Sequence, residues 1–230
     1  MDYFNQAFSA AFLLIISFDH EVYTIVWTSL RISLVAVIAA SLIGIPLGLL
    51  VQFRSFPGKA FLMQMLNTLM ALPTVVVGLL LYGLLTRQGP LGDWGLLYTP
   101  AAIIIGECIL ILPIIWNLTI TAAASADPRV LLTCRALGAR GIQQGLLFIN
   151  EVRFALVAAV VTGFGRAIGE VGVAMMLGGN ISGFTRTMTT AIALETSKGE
   201  FEFGLALGLL LLLTAFIVNL VLQRFQSLNK

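Results

Sequence analysis

Five long apolar stretches constrain this chain more than any other feature of its sequence. They lie at about residues 25–51, 61–86, 99–121, 153–178 and 203–223. A bilayer core is about 30 Å thick and takes about 20 helical residues to cross, so each stretch is long enough to span it. Because lipid offers no hydrogen bonds to the backbone, spanning segments of this kind are helical. The pattern predicts an all-α polytopic membrane protein with about five transmembrane helices.

The composition leaves little material for anything outside the membrane. Of 230 residues, 59% are hydrophobic and 10% are charged, and the mean hydropathy is +1.00, which a soluble domain of this length rarely tolerates. We expect one membrane domain over residues 24–223, preceded by a segment at 1–23 and followed by a tail at 224–230. The net charge of +2 is small and dispersed, so nucleic acid is not an expected partner.

The basic residues of the short loops indicate the orientation, because Lys and Arg are retained on the cytoplasmic side. With the N-terminus outside, eight lie in cytoplasmic segments and three outside: Arg54, Lys59, Arg129, Arg135, Arg140, Arg153, Arg224 and Lys230 against Arg87, Arg186 and Lys198. The N-terminus is therefore predicted outside and the C-terminus inside. Residues 1–20 alternate apolar and polar types, which favours an interfacial helix, with a sixth span as the alternative.

No catalytic constellation is visible along the chain. His20 has no Cys or acidic residue at ligand spacing, so no metal site is predicted. The pair Gly58-Lys59 is followed by Ala60 and lacks a glycine five residues upstream, so it is not a phosphate-binding loop. We expect that this chain is not an enzyme and binds no cofactor of its own.

The longest cytoplasmic link, roughly 122–152, carries the start and stop signals of a helix. Asp127-Pro128 provides an N-cap followed by a proline at the first helical position, and Gly138 is a C-terminal stop. The apolar residues between them fall on one face, so the helix is amphipathic but does not span. This pattern predicts a surface helix available to a partner protein; an ordinary connector resting on the membrane is the alternative.

Ionisable groups within the spans are functional candidates, because they are costly to insert. Glu107 lies in the third span, and Arg166 and Glu170 lie one helical turn apart in the fourth, where they can pair. The pair is predicted either to belong to a translocation pathway or gate or only to anchor helix packing. Glycines around it, Gly172 among them, permit close helix approach or a narrow passage.

The periplasmic link after the fourth span offers polar groups that suit an anion. Asn180, Thr185 and Arg186 provide hydrogen-bond donors and a single positive charge. We predict that they belong to the translocation pathway; an ordinary polar turn is the alternative.

Two segments of the chain resemble the permease subunits of type I ABC importers. The segment from Asp127 through Arg135-Ala136-Leu137-Gly138-Ala139 is similar to their coupling-loop motif, whose usual form is Glu-Ala-Ala, three residues, Gly. The stretch from Gly163 to Lys198 resembles the tungstate and molybdate permeases, most of all the tungstate branch. The similarity covers roughly 24–223. Two departures stand out: Leu132-Thr133-Cys134 replaces Glu-Ala-Ala, and Glu151-Val152-Arg153 replaces the usual Leu-Pro ending.

This resemblance implies a type I ABC importer transmembrane fold with a cytoplasmic coupling helix. The residues implied to contact the ATPase are Asp127, Leu132, Arg135, Ala136, Leu137, Gly138 and Ala139. It further implies a homodimer of permeases in the cytoplasmic (inner) membrane of a bacterium or archaeon. Its expected partners are two cytoplasmic ATPase subunits, which would use ATP and Mg²⁺, and a periplasmic or lipid-anchored binding protein.

The function implied is import of an oxyanion, tungstate first, by alternating access. Molybdate and sulfate are alternatives, because the three ions share charge and tetrahedral shape. An autonomous channel or secondary transporter is a rival class. Such proteins commonly contain internal repeats or buried acid and histidine relays, and the sequence has neither. A membrane anchor or assembly protein is a third hypothesis.

Overall fold

The computed structural model describes residues 2–127 and 142–227, together with positions 129, 136 and 138. Within these residues the chain forms ten α-helices, a 3₁₀ turn at Gly92–Trp94 and no strand, which confirms the predicted all-α fold. The helices are α1 (Asp2–Ile16), α2 (His20–Phe53), α3 (Lys59–Met70), α4 (Thr74–Leu85), α5 (Pro100–Ala124), α6 (Ile142–Glu151), α7 (Arg153–Ile168), α8 (Gly172–Gly178), α9 (Met188–Lys198) and α10 (Phe201–Ser227).

The helices of the described part supply three to five membrane crossings. α2, α5 and the portion Phe201–Val221 of α10 are each long and apolar enough to cross alone. Two bent pairs add up to two more crossings: α3 with α4, at 95°, and α6 with α7, at 73°. This range includes the five spans predicted from the sequence. α1 has 15 residues, which gives about 22 Å, short of a full crossing, and it packs on α10.

The predicted span 61–86 is interrupted near its middle. α3 ends at Met70 and α4 begins at Thr74, on either side of Pro73. Proline has no N–H to donate and disfavours helical geometry in the residue before it, so a continuous helix is interrupted there. After the break, the Pro73 carbonyl accepts a hydrogen bond from the Val76 N–H at 3.0 Å, which starts the next helix.

The predicted span 153–178 also consists of two helices, and another helix follows it. α7 ends at Ile168, and the chain leaves helical geometry before α8 begins at Gly172. The periplasmic link after the fourth span, for which no helix was predicted, contains α9. This helix begins with a reciprocal cap between Thr187 and Thr190. The usual sequence signature of such a cap has Ser or Thr at the N-cap and Glu or Gln three residues later. Because Thr190 stands where Glu or Gln is usual, the sequence did not predict α9.

α5 is the central helix of the molecule, with α2, α3, α4, α7 and α8 packed around it. Small residues permit these approaches. A Cβ added at Gly48 of α2 would lie 2.7 Å from the Thr119 side chain, and one at Gly163 of α7 would lie 3.0 Å from Ile115. Lipid provides little hydrophobic drive for helices to associate, so stability at this depth comes from such van der Waals contact.

Contacts between helix ends define two opposite faces. At one face the Tyr98 N–H, just before α5, donates to the Leu177 carbonyl at 2.8 Å, and Arg186 pairs with Glu21 at the start of α2. At the other face the rings of Phe53 and Phe148 meet edge to face at 4.7 Å. The first is the face predicted to be periplasmic, and the second the face predicted to be cytoplasmic.

Candidate functional site

The break between α7 and α8 brings the Arg166 and Glu170 side chains together. Arg166 Nη1 lies 2.6 Å from Glu170 Oε2, and the two side chains are 37% and 3% exposed. The other carboxylate oxygen of Glu170 accepts the Val173 N–H in the first turn of α8, at 3.1 Å. The backbone carbonyl of Glu170 accepts the Thr189 hydroxyl at 2.6 Å. Glu170 therefore connects α7, α8 and α9.

This arrangement has a physical reason. A carboxylate removed from water is costly unless it is paired and fully hydrogen-bonded. The interruption at Gly169 leaves free N–H groups at the start of α8, and Glu170 accepts from one of them while Arg166 neutralises its charge. A continuous helix would have no free N–H at that position.

Arg166 lies beside an exposed strip of small residues on α7. Thr162, Gly165 and Gly169 are all exposed in the single chain, and a Cβ at Gly165 would meet no atom within 4 Å. Gly172 differs, because a Cβ there would lie 3.0 Å from Thr74 Oγ1 of α4. Arg166 thus faces open space, while Gly172 serves the packing between α8 and α4.

The polar link that follows α8 is held by its own hydrogen bonds. Thr185 is fully buried; its hydroxyl donates to the Gly178 carbonyl at 2.6 Å and accepts the Ile181 N–H at 3.0 Å. Asn180 has a positive φ of 52°, and its amide donates to the Thr190 carbonyl at 3.4 Å. In this structure Thr185 and the Asn180 amide nitrogen bond to the link itself.

Arg186 lies in a charged cavity at the predicted periplasmic face. Its Nη1 is 3.0 Å from Glu21 Oε1, and Lys198 pairs with Glu195 at 2.9 Å. The cavity has a volume of about 340 Å³ and is lined by Glu21, Arg186, Glu195, Lys198, Glu200 and Phe203. The predicted single positive charge is thus surrounded by three carboxylates and a second cation, so this cavity is not a simple anion trap.

Glu107 of α5 is 2% exposed. Its Oε2 is buried and has no hydrogen-bond partner among the described residues. Glu107 therefore lies in the interior of the subunit.

Amide residues within the spans were missed because only charged residues were considered, Gln64, Asn67 and Asn117 among them. Asn117 of α5 donates to Asn67 Oδ1 of α3 at 2.6 Å, and Gln64 lies one turn before Asn67 on α3 with its surface exposed. A search of the apolar stretches for amides, which also need hydrogen-bond partners in lipid, would have found all three.

The residues predicted to contact an ATPase are described only in part. Leu132, Arg135, Leu137 and Ala139 lie outside the described residues. Asp127 Oδ1 accepts the Arg129 N–H at 2.8 Å, Ala136 is exposed, and Gly138 has a φ of 81°. The role of this segment stays a prediction. Among the described residues, no group of three or more His, Cys, Asp or Glu side chains could hold a metal ion.

The fold and the broken helices define a multi-pass helical membrane protein with a paired charge at the interruption of one span. Residues 44–228 match the family model described as "Binding-protein-dependent transport system inner membrane component", and the chain belongs to this family of ABC transporter permeases. Members work in binding-protein-dependent transport systems, so the chain is a membrane subunit of such a system.

Two relatives match nearly the whole chain. The tungstate uptake system permease protein TupB of Peptoclostridium acidaminophilum is 40% identical over 227 residues, covering 99% of this chain and 100% of the relative. The protein of the same name from Campylobacter jejuni is 41% identical over 226 residues, covering 98% and 95%. A solved structure of the MetNI methionine ABC transporter aligns with a TM-score of 0.73 at 18% identity, over 91% of this chain and 97% of that chain. This last similarity supports the type I importer fold.

Proposed function

We propose that this chain is the permease subunit of an ATP-driven importer of tungstate. The observation that carries the proposal is the identity of 40% over the full length of a tungstate uptake permease. Coverage of 99% and 100% means that the spans, the links and the segment around residues 127–138 are all aligned, not one motif alone. Molybdate and sulfate, with the same charge and shape, are the substrates to compare with it.

The transporter contains, in this proposal, two copies of the chain around a central pathway. A single subunit exposes Arg166 and the strip of small residues on α7, and a polar surface at membrane depth needs water or another protein against it. A two-fold pair provides both, because closed symmetry brings the same face of each copy together. The assembly lies in the cytoplasmic membrane.

Two ABC ATPase subunits on the cytoplasmic side and a periplasmic or lipid-anchored binding protein complete the assembly. ATP and Mg²⁺ are used by the ATPases. Their closure on ATP moves the helices at 127–138 together, and the attached spans turn the pathway outward to receive the anion. Asp127, Ala136 and Gly138 are the described members of the set that transmits this movement.

Arg166 and Glu170 form the gate in this proposal. The guanidinium is 37% exposed and therefore accessible to a passing dianion, while Glu170 keeps it from being an unpaired positive charge. An oxyanion that competes with Glu170 for Arg166 is bound weakly and released readily, as transport requires. Asn180 and Arg186 line the periplasmic approach, and the buried Thr185 holds the link that carries them through its bonds to Gly178 and Ile181.

The test is ATP-driven uptake by the complete assembly. The full-length chain, purified with its co-purifying partners and reconstituted in liposomes, should accumulate tungstate when ATP and the binding protein are supplied. Parallel measurements with molybdate and sulfate rank the substrates. Matched liposomes with a non-hydrolysable ATP analogue are the control and should accumulate none.

Two results would contradict the proposal. Tungstate flux through the purified chain alone, without ATPase or binding protein, would identify a channel or secondary transporter. Purification without any ATP-hydrolysing subunit would favour an anchor or assembly protein.

A further inference from the structure

One face of α3 is polar although the helix belongs to a membrane span. Asn67 and Thr68 lie three and four residues after Gln64, which places the three on one side of the helix. All three are exposed in the single chain. The opposite side of α3 is apolar, with Leu66 buried against Ile120 of α5. The helix therefore presents an unpartnered polar face.

Asn117 fixes the orientation of the Asn67 amide. Its Nδ2 donates to Asn67 Oδ1 at 2.6 Å and to Met70 Sδ at 2.9 Å, so both of its N–H groups are used. With its oxygen held in this way, Asn67 turns its own amide nitrogen outward. No described residue accepts a hydrogen bond from that nitrogen, nor from Nε2 of Gln64. Gln64 Nε2 and Asn67 Nδ2 together thus carry four N–H donors on exposed residues, without an acceptor in the described part of the chain.

The position of these amides along the membrane excludes lipid as their surroundings. Asn117 lies seven residues before the end of α5 at Ala124, which is about 10 Å along the helix from its predicted cytoplasmic end. Lipid tails offer no acceptor at that depth, and a buried polar group without a hydrogen bond costs about 2 kcal/mol or more. Water, the second copy of the chain or a ligand rich in acceptors is required there, and the experiments below separate the three.

We propose that Gln64 and Asn67 form a neutral binding station for a tetrahedral divalent oxyanion, with Asn117 as the residue that positions it. The inference rests on the proposed function and adds a contact site in the half of the pathway nearer the cytoplasm. Such an anion has only acceptor oxygens, which match outward N–H donors. Because the donors carry no charge, the anion is held without being trapped.

The first experiment measures water access. In the complete reconstituted transporter, with Cys108 and Cys134 replaced by serine, Asn67→Cys and Gln64→Cys are reacted with the anionic reagent sulfonatoethyl methanethiosulfonate. Leu42→Cys, which replaces an exposed apolar residue of α2, is the matched control. The thiolate, which forms in water, attacks the reagent and displaces methanesulfinate. We therefore expect Asn67→Cys and Gln64→Cys to react at least about tenfold faster than the control. Equal rates would mean that lipid or the second copy covers the face, and would overturn the proposal.

The second experiment measures binding through protection. Tungstate should slow the modification of Gln64→Cys, and the half-protecting concentration should respond to the charge placed at position 67. Asn67→Asp should raise that concentration at least about tenfold by repulsion, and Asn67→Lys should lower it. Asn67→Asp keeps the acceptor for Asn117 and Asn67→Lys removes it. A merely structural role would therefore leave the aspartate variant little changed and weaken protection in the lysine variant, the opposite of the effect of charge. Shifts of the same sign, or no protection, would overturn the proposal.

Failure of this inference is distinguishable from failure of the proposed function. If uptake of tungstate is normal but tungstate does not protect the cysteine, then Gln64 and Asn67 do not bind the anion, and the proposed function is unaffected. If molybdate or sulfate protects and is taken up while tungstate is not, the station stands and the substrate is corrected.

Discussion

Glu170 contacts three helices, and this makes its role separable from that of Arg166. The spacing of four predicted that the two side chains would pair, and they do, at 2.6 Å. The sequence did not predict the helix end between them, because Gly169-Glu170-Val171 lies in an unbroken apolar run. Exchange of the two residues is therefore an incomplete test of the pair: an arginine at 170 has no acceptor for the Val173 N–H.

A better test removes the cation first and then the charge that it leaves behind. Arg166→Ala should lower the free energy of unfolding by about 3 kcal/mol, because it leaves a buried carboxylate unpaired. Adding Glu170→Gln should recover more than half of that loss, since the amide still accepts from Val173 and carries no charge. Unfolding of the purified protein in detergent, followed by circular dichroism, measures both changes.

Lys198→Ala is the matched control for this cycle. It breaks an ion pair whose lysine is half exposed, and such pairs contribute about 1 kcal/mol or less. If Glu170→Gln brings no recovery in the Arg166→Ala background, the carboxylate is not the source of the instability and the argument for the pair fails.

The helices show which parts of the fold follow from the sequence. The helices α2, α5 and α10 were predicted because each coincides with a long apolar run. Pro46 and Pro113 lie within α2 and α5 without ending either helix. Pro73 does coincide with a break. A single sequence does not separate these cases, because the packing partners on either side of each proline decide whether the helix continues.

Helix packing around α5 gives a prediction at this scale. A Cβ at Gly106 would lie 2.8 Å from Leu177 Cδ1 of α8, so Gly106→Ala should destabilise the protein by about 1–3 kcal/mol through overpacking. Gly208→Ala on α10 is the matched control, because it meets open space and alanine favours helix by up to about 1 kcal/mol. Thermal unfolding of the two variants should shift in opposite directions; equal losses would remove close packing as the explanation for Gly106.

The arrangement of the whole molecule explains why the site was harder to predict than the fold. Asn67 and Asn117 are 50 positions apart, and Arg186 and Glu21 are 165 apart. No local pattern reports such pairs; they follow from the packing of α3 on α5 and of α9 on α2. Substrate choice is further removed, since three oxyanions share one charge and shape.

Coupling to an ATPase is a property of the assembly. Leu137→Asp combined with Gly138→Asp should abolish substrate-stimulated ATP hydrolysis while leaving insertion and dimer formation intact, because it places two charges on the proposed contact face. The measurement is ATPase activity of the reconstituted complex with and without loaded binding protein. Retained stimulation would remove the coupling role from residues 127–139.

The bend between α3 and α4 has a consequence for biosynthesis. Each limb has 12 residues, or about 18 Å, too short for a machinery that inserts nascent chains to retain either limb alone. The partners that hold the limbs apart, Ile120 for α3 and Val173 for α4, are translated later. We therefore expect the segment to enter the bilayer straight and to fold over late. A ribosome-bound intermediate ending at Ser125, with α5 still inside the ribosome, should show it fully threaded, with the kink appearing only once α5 and α8 have left the ribosome.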